Sequence, residues 1–323
     1  MDFFNRFRDS YVRLDNPTVQ RLSQPNQEFR FVEVHPPADQ DLPVSLDRFV
    51  KTVTEYQTQL LGIKNTSPVI GYEIQRFTPE KIRLQFAVPT ARLERKLRTQ
   101  LNEQIPGIGF ETGTRELPLN KGDTVGLGVL SLRRKEVYPL ETEFEAPPIN
   151  SVVTALHRHA MRDSRIAIQV LFKPVAGQPV QRRLWHREAS RESRNLRSEK
   201  VGMLPWSDRD ATPREKQQAR QIDSKAGSPR FHVSIRILVV GAAEYTASRI
   251  KEVSGGFNIF TNPDTGQGYQ TRAVRSIRDK PIINSVEQFR NRRLKQPFQI
   301  SAVELAGLVS IPDREQENIE TSV

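Results

Sequence analysis

Histidine, cysteine and clustered carboxylates carry most nucleophilic, metal-binding and proton-transfer chemistry, so their supply comes first. The 323-residue chain has no cysteine, which removes thiolate nucleophiles, iron–sulfur clusters and Cys-based zinc sites. Its five histidines are His35, His157, His159, His186 and His232. Only His157 and His159 lie close together. On a helix, residues at that spacing point about 200° apart and cannot share a metal ion. No H-E-x-x-H or G-x-S-x-G string occurs, and the carboxylates are scattered rather than clustered. No Gly-Lys pair exists either, so a P-loop, whose glycines wrap phosphates while its Lys reaches the last of them, is absent. GIGFETG (107–113) and GLGVLS (126–131) approximate a dinucleotide fingerprint. The third glycine is misplaced in the first and missing in the second, so both read as strand and turn glycines. The expectation is a non-catalytic chain with no metal and no cofactor.

What remains is charge. The formal net charge is +11, from 49 basic and 38 acidic residues. Residues 182–230 and 272–295 carry that whole excess, and the rest of the chain is close to neutral. Focused positive charge is what a polyanion partner needs, although solvated helix faces with internal ion pairs look the same in sequence. Within the first segment Arg187, Arg191 and Arg194 fall at i, i+4, i+7 on a helix, flanked by Arg183 and Arg197. Glu188 and Glu192 stand within pairing distance, with Trp185 beside the stripe and Trp206 beyond it. Arginine with an aromatic suits a nucleic-acid backbone or a protein partner. The second set is Arg290, Arg292, Arg293 and Lys295, crowded at a helix end where the dipole already favours cations.

Apolar periodicity supplies the elements that must hold these residues. Phe3, Phe7, Tyr11 and Leu14 trace one face of a short helix in a polar lead over 1–26. A first lobe spans 27–145. It reads as a strand at 29–34, a helix capped by Ser45 carrying Leu46, Phe49, Val50, Val53, Tyr56, Leu60 and Leu61 and closed by Gly62, and alternating strands at 70–74 and 82–88. A helix capped by Thr90 and strands near 108–116 and 125–138 complete it. A second lobe spans 146–312, with a helix capped by Asn150 that carries Val152, Val153, Leu156 and Met161, and strands at 166–172 and 231–240. Further helices run from Glu244 to Phe257, from a Ser285/Gln288 capping box to Lys295, and from a Ser301/Glu304 box through Leu305 and Leu308. A basic helical insert occupies 182–226, a Gly-rich loop 262–270 and a polar tail 313–323. The expected class is α+β: two lobes with ferredoxin-like βαββαβ-type mixed or antiparallel sheets packed by helices, plus the insert. No apolar run reaches 18 residues and no signal-peptide core is visible, so no membrane span is expected.

Five stretches in order resemble the N-terminal, non-ATPase region of type IV secretion and conjugative-transfer ATPases, the HerA-like DNA translocases. They are Ile74 to Pro89 with Gln104-Ile105-Pro106, Pro148 to Phe172, Arg220 to Leu238, Gly241 to Phe260, and Phe298 to Pro312. That family's ATP-binding residues have no counterparts here. The resemblance implies a non-catalytic accessory or docking subunit of a DNA-transfer machine, supplying in trans the N-terminal domain of a separately encoded HerA-like ATPase. It implies an oligomeric, cytoplasmic protein, peripheral at the inner face of the membrane, with DNA and a membrane-associated complex as further partners. The helix bearing Ser301, Glu304, Leu305 and Leu308 becomes the motor-facing candidate. The alternative is a stand-alone nucleic-acid-binding protein using 182–230 and 272–295.

Overall fold

Alternating apolar runs need one covered face, and the chain meets that need with a single large sheet. The structure, a computed structural model, describes residues 9–24, 28–38, 41–78, 81–114, 117–157, 164–198, 209–313 and 319. Phe3, Phe7, His159, Met161 and Trp206 lie outside the described residues. The first elements are β1 (Val12–Arg13), α1 (Asn16–Ser23), β2 (Arg30–His35), α2 (Asp47–Val53), β3 (Thr58–Gln59) and β4 (Lys64–Asn65). Then come β5 (Ile70–Thr78), β6 (Lys81–Val88), α3 (Ala91–Gln104), β7 (Gly109–Thr112), β8 (Thr124–Leu132), α4 (Ile149–Leu156) and β9 (Arg165–Pro174). The chain continues through α5 (Pro179–Arg197), α6 (Pro213–Gly227), β10 (Arg230–Val240), α7 (Thr246–Ser254), β11 (Tyr269–Ala273), α8 (Asp279–Arg290), β12 (Phe298–Ser301) and α9 (Ala302–Leu308).

Among the described residues, ten strands form one antiparallel sheet in the order β1-β8-β10-β9-β5-β6-β2-β7, with β11 also on β8 and β12 on β10. The α+β class with an antiparallel sheet packed by helices is therefore what the chain adopts. The run β2-α2-β5-β6-α3-β7 has strand order β5-β6-β2-β7, the ferredoxin-like arrangement. The run β8-α4-β9-β10-α7-β11 repeats it, with order β9-β10-β8-β11. Strand β8, read from sequence with the first lobe, pairs with β10 and β11 of this second unit. The second strands of the two units, β5 and β9, lie side by side and antiparallel over Ile70–Arg76 and Ile166–Phe172, so the sheet is continuous between the units. One apolar cluster joins α2, α3, α4, α7 and α9 on one face, and a second gathers α1 and α8 on the other. The two units are thus related by an approximate twofold rotation normal to the sheet. The helical hairpin α5–α6 is inserted between β9 and β10, where the first unit has the short β5–β6 connection.

The glycines of GLGVLS have a packing reason. A Cβ on Gly126 would come within 2.3 Å of the Ser10 carbonyl oxygen, and one on Gly128 within 2.3 Å of Ile250 on α7. Bare backbone there lets α7 lie close on β8.

On the α8 side a row of polar residues, broken only by Val129, crosses the sheet: Glu111, Glu33, Gln85, Glu73, Gln169, Arg236, Val129 and Arg272 are successive cross-strand neighbours. Glu73 is its buried hub. Its carboxylate accepts from Gln75 Nε2 (3.0 Å), Gln85 Nε2 (2.9 Å), Gln169 Nε2 (2.8 Å) and an Arg292 guanidinium nitrogen (3.1 Å). Arg236 donates to Gln169 Oε1 at 2.5 Å. Burial pulls the Arg236 guanidinium down to about 9, against the attraction of Glu73. Arg292 sits 4.4 Å over the Phe31 ring, so the network ties the stretch after α8 to both units.

Several expected elements are corrected. Residues 12–13 are extended because they pair with Val125 and Thr124, so Tyr11 and Leu14 are not on a helix. Helix α2 stops at Val53, where Thr54 turns extended and its hydroxyl bonds the Val50 carbonyl. Tyr56, Leu60 and Leu61 lie beyond it, in and around the β3–β4 hairpin, and Ser45 is not its cap. Asn150 lies inside α4 and pairs with Asp313. Ser285 lies in mid-α8 with its hydroxyl on the Pro281 carbonyl, and α8 ends at Arg290. Thr90 does cap α3, accepting from Leu93 N, and the Ser301/Glu304 capping box is formed.

His232 on β10 gives a pH prediction. Burial, then the charges of Lys173 and Arg230, hold its imidazole at about 4, below the ordinary 6.5. The unfolded chain takes up this proton as pH falls through about 6.5, whereas the folded chain does not until about 4. Stability is therefore lost as pH drops across that window, by about 2 kcal/mol at pH 5. Urea midpoints at pH 7 and pH 5 should differ more for the wild type than for His232→Gln; equal differences would contradict this.

Candidate nucleic-acid interface

A concave basic feature among the described residues lies where α7 faces the outer strand β11. β11 pairs with β8 through Tyr269–Leu132 to Ala273–Gly128, and among the described residues it forms no other strand pairing. Its first residue is the anchor. Tyr269 is buried against Phe257, Phe260 and Phe298, each with ring centroids 5.9 Å away, and burial drives its phenol far above the ordinary value.

The preceding Gly-rich loop is built rather than slack. Asn262 Oδ1 accepts from Asp264 N at 3.0 Å and Thr265 N at 2.9 Å, and Gly266 adopts a left-handed φ of 67°. Gln267 donates to the Lys135 and Tyr138 carbonyls, and α6 grips the loop through Arg214 on the Pro263 and Asp264 carbonyls. Across the groove, Arg133 follows directly on β8. Its Nε donates to the Tyr269 carbonyl at 2.9 Å, and a terminal nitrogen donates to Asn258 Oδ1 at 3.4 Å.

The groove so framed has a volume of about 1110 Å³. Its lining holds Arg133, Lys251, Arg272 and Arg275, with Ser254, Asn258, Gln270 and Thr271, and no carboxylate; by the β11 register Gln270 and Arg272 alternate to the α8 face, so they line it at the strand edge rather than from the α7 side. All four cations are exposed. Its one aromatic, Tyr269, is 4% exposed and gives bases no stacking platform. An arrangement of this kind can neutralise the phosphates of a nucleic-acid backbone.

The sequence-predicted residues distribute differently. Arg183, Arg187, Arg191, Arg194 and Arg197 are all exposed on α5, as a stripe should be. Glu188 and Glu192 do not pair with it, however; both turn to Lys135, and Glu192 also accepts from the Tyr138 hydroxyl. Arg197 pairs with Asp223 of α6. Trp185 is on the opposite, buried face of α5, with the Arg230 guanidinium 3.7 Å over its ring, so it is not a surface aromatic. Of the second set, Arg293 and Lys295 are exposed, but Arg290 and Arg292 are buried. Arg290 donates to the Leu22 and Leu117 carbonyls and Arg292 pairs with Glu73; these cations complete the core.

The helix bearing Ser301, Glu304, Leu305 and Leu308 is also interior: all four are buried, and α9 packs on α2. Glu304 forms an ion pair of 3.0 Å with Lys225, itself 3% exposed, and accepts from Leu140 N. It is a clamp between α9 and α6, not a docking face. Sequence reasoning missed Arg133 and Lys251, which lie outside both basic segments; the exposed edge strand that gathers them carries no local sequence signal.

Fold and groove together define a tandem ferredoxin-like α+β protein with a basic groove at one end of its sheet. The chain belongs to the family described as Domain of unknown function (DUF8128), whose model matches residues 4–323. No curated protein matches it. Among the described residues, no helix is long and apolar enough to cross a membrane.

Proposed function

We propose that this protein is a non-catalytic nucleic-acid-binding subunit that holds a duplex by its phosphates in the α7–β11 groove. The carrying observation is the groove lining, four exposed cations with no carboxylate, beside an outer strand. The buried tyrosine favours contacts to the backbone over stacking with unpaired bases. By its resemblance to the N-terminal region of HerA-like DNA translocases, the subunit serves a DNA-transfer machine and works with a separately encoded ATPase, on the cytoplasmic side of a membrane-bound complex. With α9 buried, the contact with that ATPase is assigned instead to the later part of the exposed α5 stripe, at Arg191 and Arg194. The stand-alone alternative uses the same groove without the motor.

The test is an anisotropy titration of a labelled duplex between 50 and 200 mM salt. Four phosphate contacts give a log–log salt slope near −3.6 and an affinity loss of roughly 100-fold across that range. A slope near zero, or no binding at 50 mM salt, contradicts the proposal.

A further inference from the structure

Ten large apolar side chains are exposed among the described residues, and six of them fall in two short segments. Leu60, Leu61 and Ile63 belong to the β3–β4 turn, with Leu61 fully exposed, and Tyr56 stands just before β3; Val180 and Leu184 belong to the first turns of α5. The segments touch: Gln178 N donates to the Ile63 carbonyl at 3.1 Å, and Asn65 Nδ2 donates to the Pro174 carbonyl at 2.8 Å. The finger therefore projects from a fixed base at the end of β9. Its tip is also strained. Leu60 and Leu61 are held at φ of 53° and 54°, a left-handed conformation that branched side chains rarely adopt. Folding has placed two leucines in water on a turn that glycine or asparagine would form more readily.

The charges within these two segments have one sign, and the acids that flank them, Glu55 and Glu188, are paired with Arg92 and Lys135. Residues 56–65 and 178–187 contain Lys64, Arg182, Arg183 and Arg187, all exposed, and no Asp or Glu. On α5, Val180, Arg183, Leu184 and Arg187 stand at i, i+3, i+4, i+7, so aliphatic and cationic groups share one stripe, with Trp185 and Ala189 turned inward. We infer that the β3–β4 tip and the start of α5 form a docking site for an anionic lipid bilayer. Leucines enter the acyl boundary, and the four cations meet the headgroups. An exposed aliphatic tip with cations on the adjoining strand and helix fits a deformable anionic surface, whereas a protein partner would have to supply a matching apolar pocket with acids around it. The inference rests on the peripheral placement proposed above only for its compartment; duplex binding at the groove is a separate property.

Co-sedimentation of the full chain decides it, using vesicles of phosphatidylcholine alone and vesicles with about a third phosphatidylserine. The wild type should sediment with the anionic vesicles only. The double variant Leu60→Asn, Leu61→Asn should lose at least about tenfold in partitioning. Asparagine accepts the left-handed turn, so the thermal midpoint should hold or rise, and duplex binding should be unchanged. Three results would overturn the inference: no sedimentation of the wild type with either vesicle, equal sedimentation of the double variant, or a wild-type dimer that the double variant converts to monomer in analytical ultracentrifugation.

Discussion

Replacement of Glu73 by alanine is expected to lower the unfolding free energy by about 3–5 kcal/mol. Glu73 lies 1% exposed at the centre of the sheet, paired with Arg292 at 2.9 Å and accepting from three glutamines. Alanine would leave a buried guanidinium without its carboxylate and three amide donors without their acceptor. Removing both charges together, as Glu73→Leu with Arg292→Met, should recover much of the loss, because the penalty is for an uncompensated charge rather than for the absence of the pair. Urea unfolding of the two variants and the wild type measures this. A cost below about 1 kcal/mol for Glu73→Ala would mean that the hub does not tie the two units together.

Charge removal in the groove should have the larger functional effect. Glutamine at Arg133, Lys251, Arg272 and Arg275 together should weaken duplex binding at least about 100-fold at low salt and flatten the salt slope by about 3 to 4. The four side chains are exposed, so their loss should leave the unfolding free energy within about 0.5 kcal/mol of wild type. Loss of binding with the fold intact is therefore the expected signature. Loss of both would point to a supporting role for Arg133, whose Nε holds the Tyr269 carbonyl.

Strand alternation and two of the helix caps were legible because they are local. Ile70, Tyr72 and Ile74, the Thr90 cap and the Ser301/Glu304 box each carry their evidence within a few residues, and the first βαββαβ run followed from them. Its repeat was hidden because α5 and α6 stand between the second and third strands of the second unit, and because β8 opens that unit across a long connection. The Glu73–Arg292 pair spans 219 positions in sequence, and nothing near Arg292 distinguishes it from its exposed neighbour Arg293. The burial of α9, by contrast, was readable: AVELAGL has a single charged residue and is apolar on every side, which marks an interior helix rather than a docking face. For α2 the fault ran the other way. Tyr56, Leu60 and Leu61 continue helical spacing by coincidence, and their exposure at a turn cannot be told from burial on a helix by periodicity alone.

The measurement closest to the central claim is the salt dependence of duplex affinity for three proteins: the wild type, the groove variant with four glutamines, and an α5 variant with glutamine at Arg183, Arg187, Arg191 and Arg194. The groove variant is expected to lose affinity and slope, while the α5 variant keeps a slope near that of the wild type. A groove variant that binds as the wild type does, or an α5 variant that alone loses binding, would contradict it.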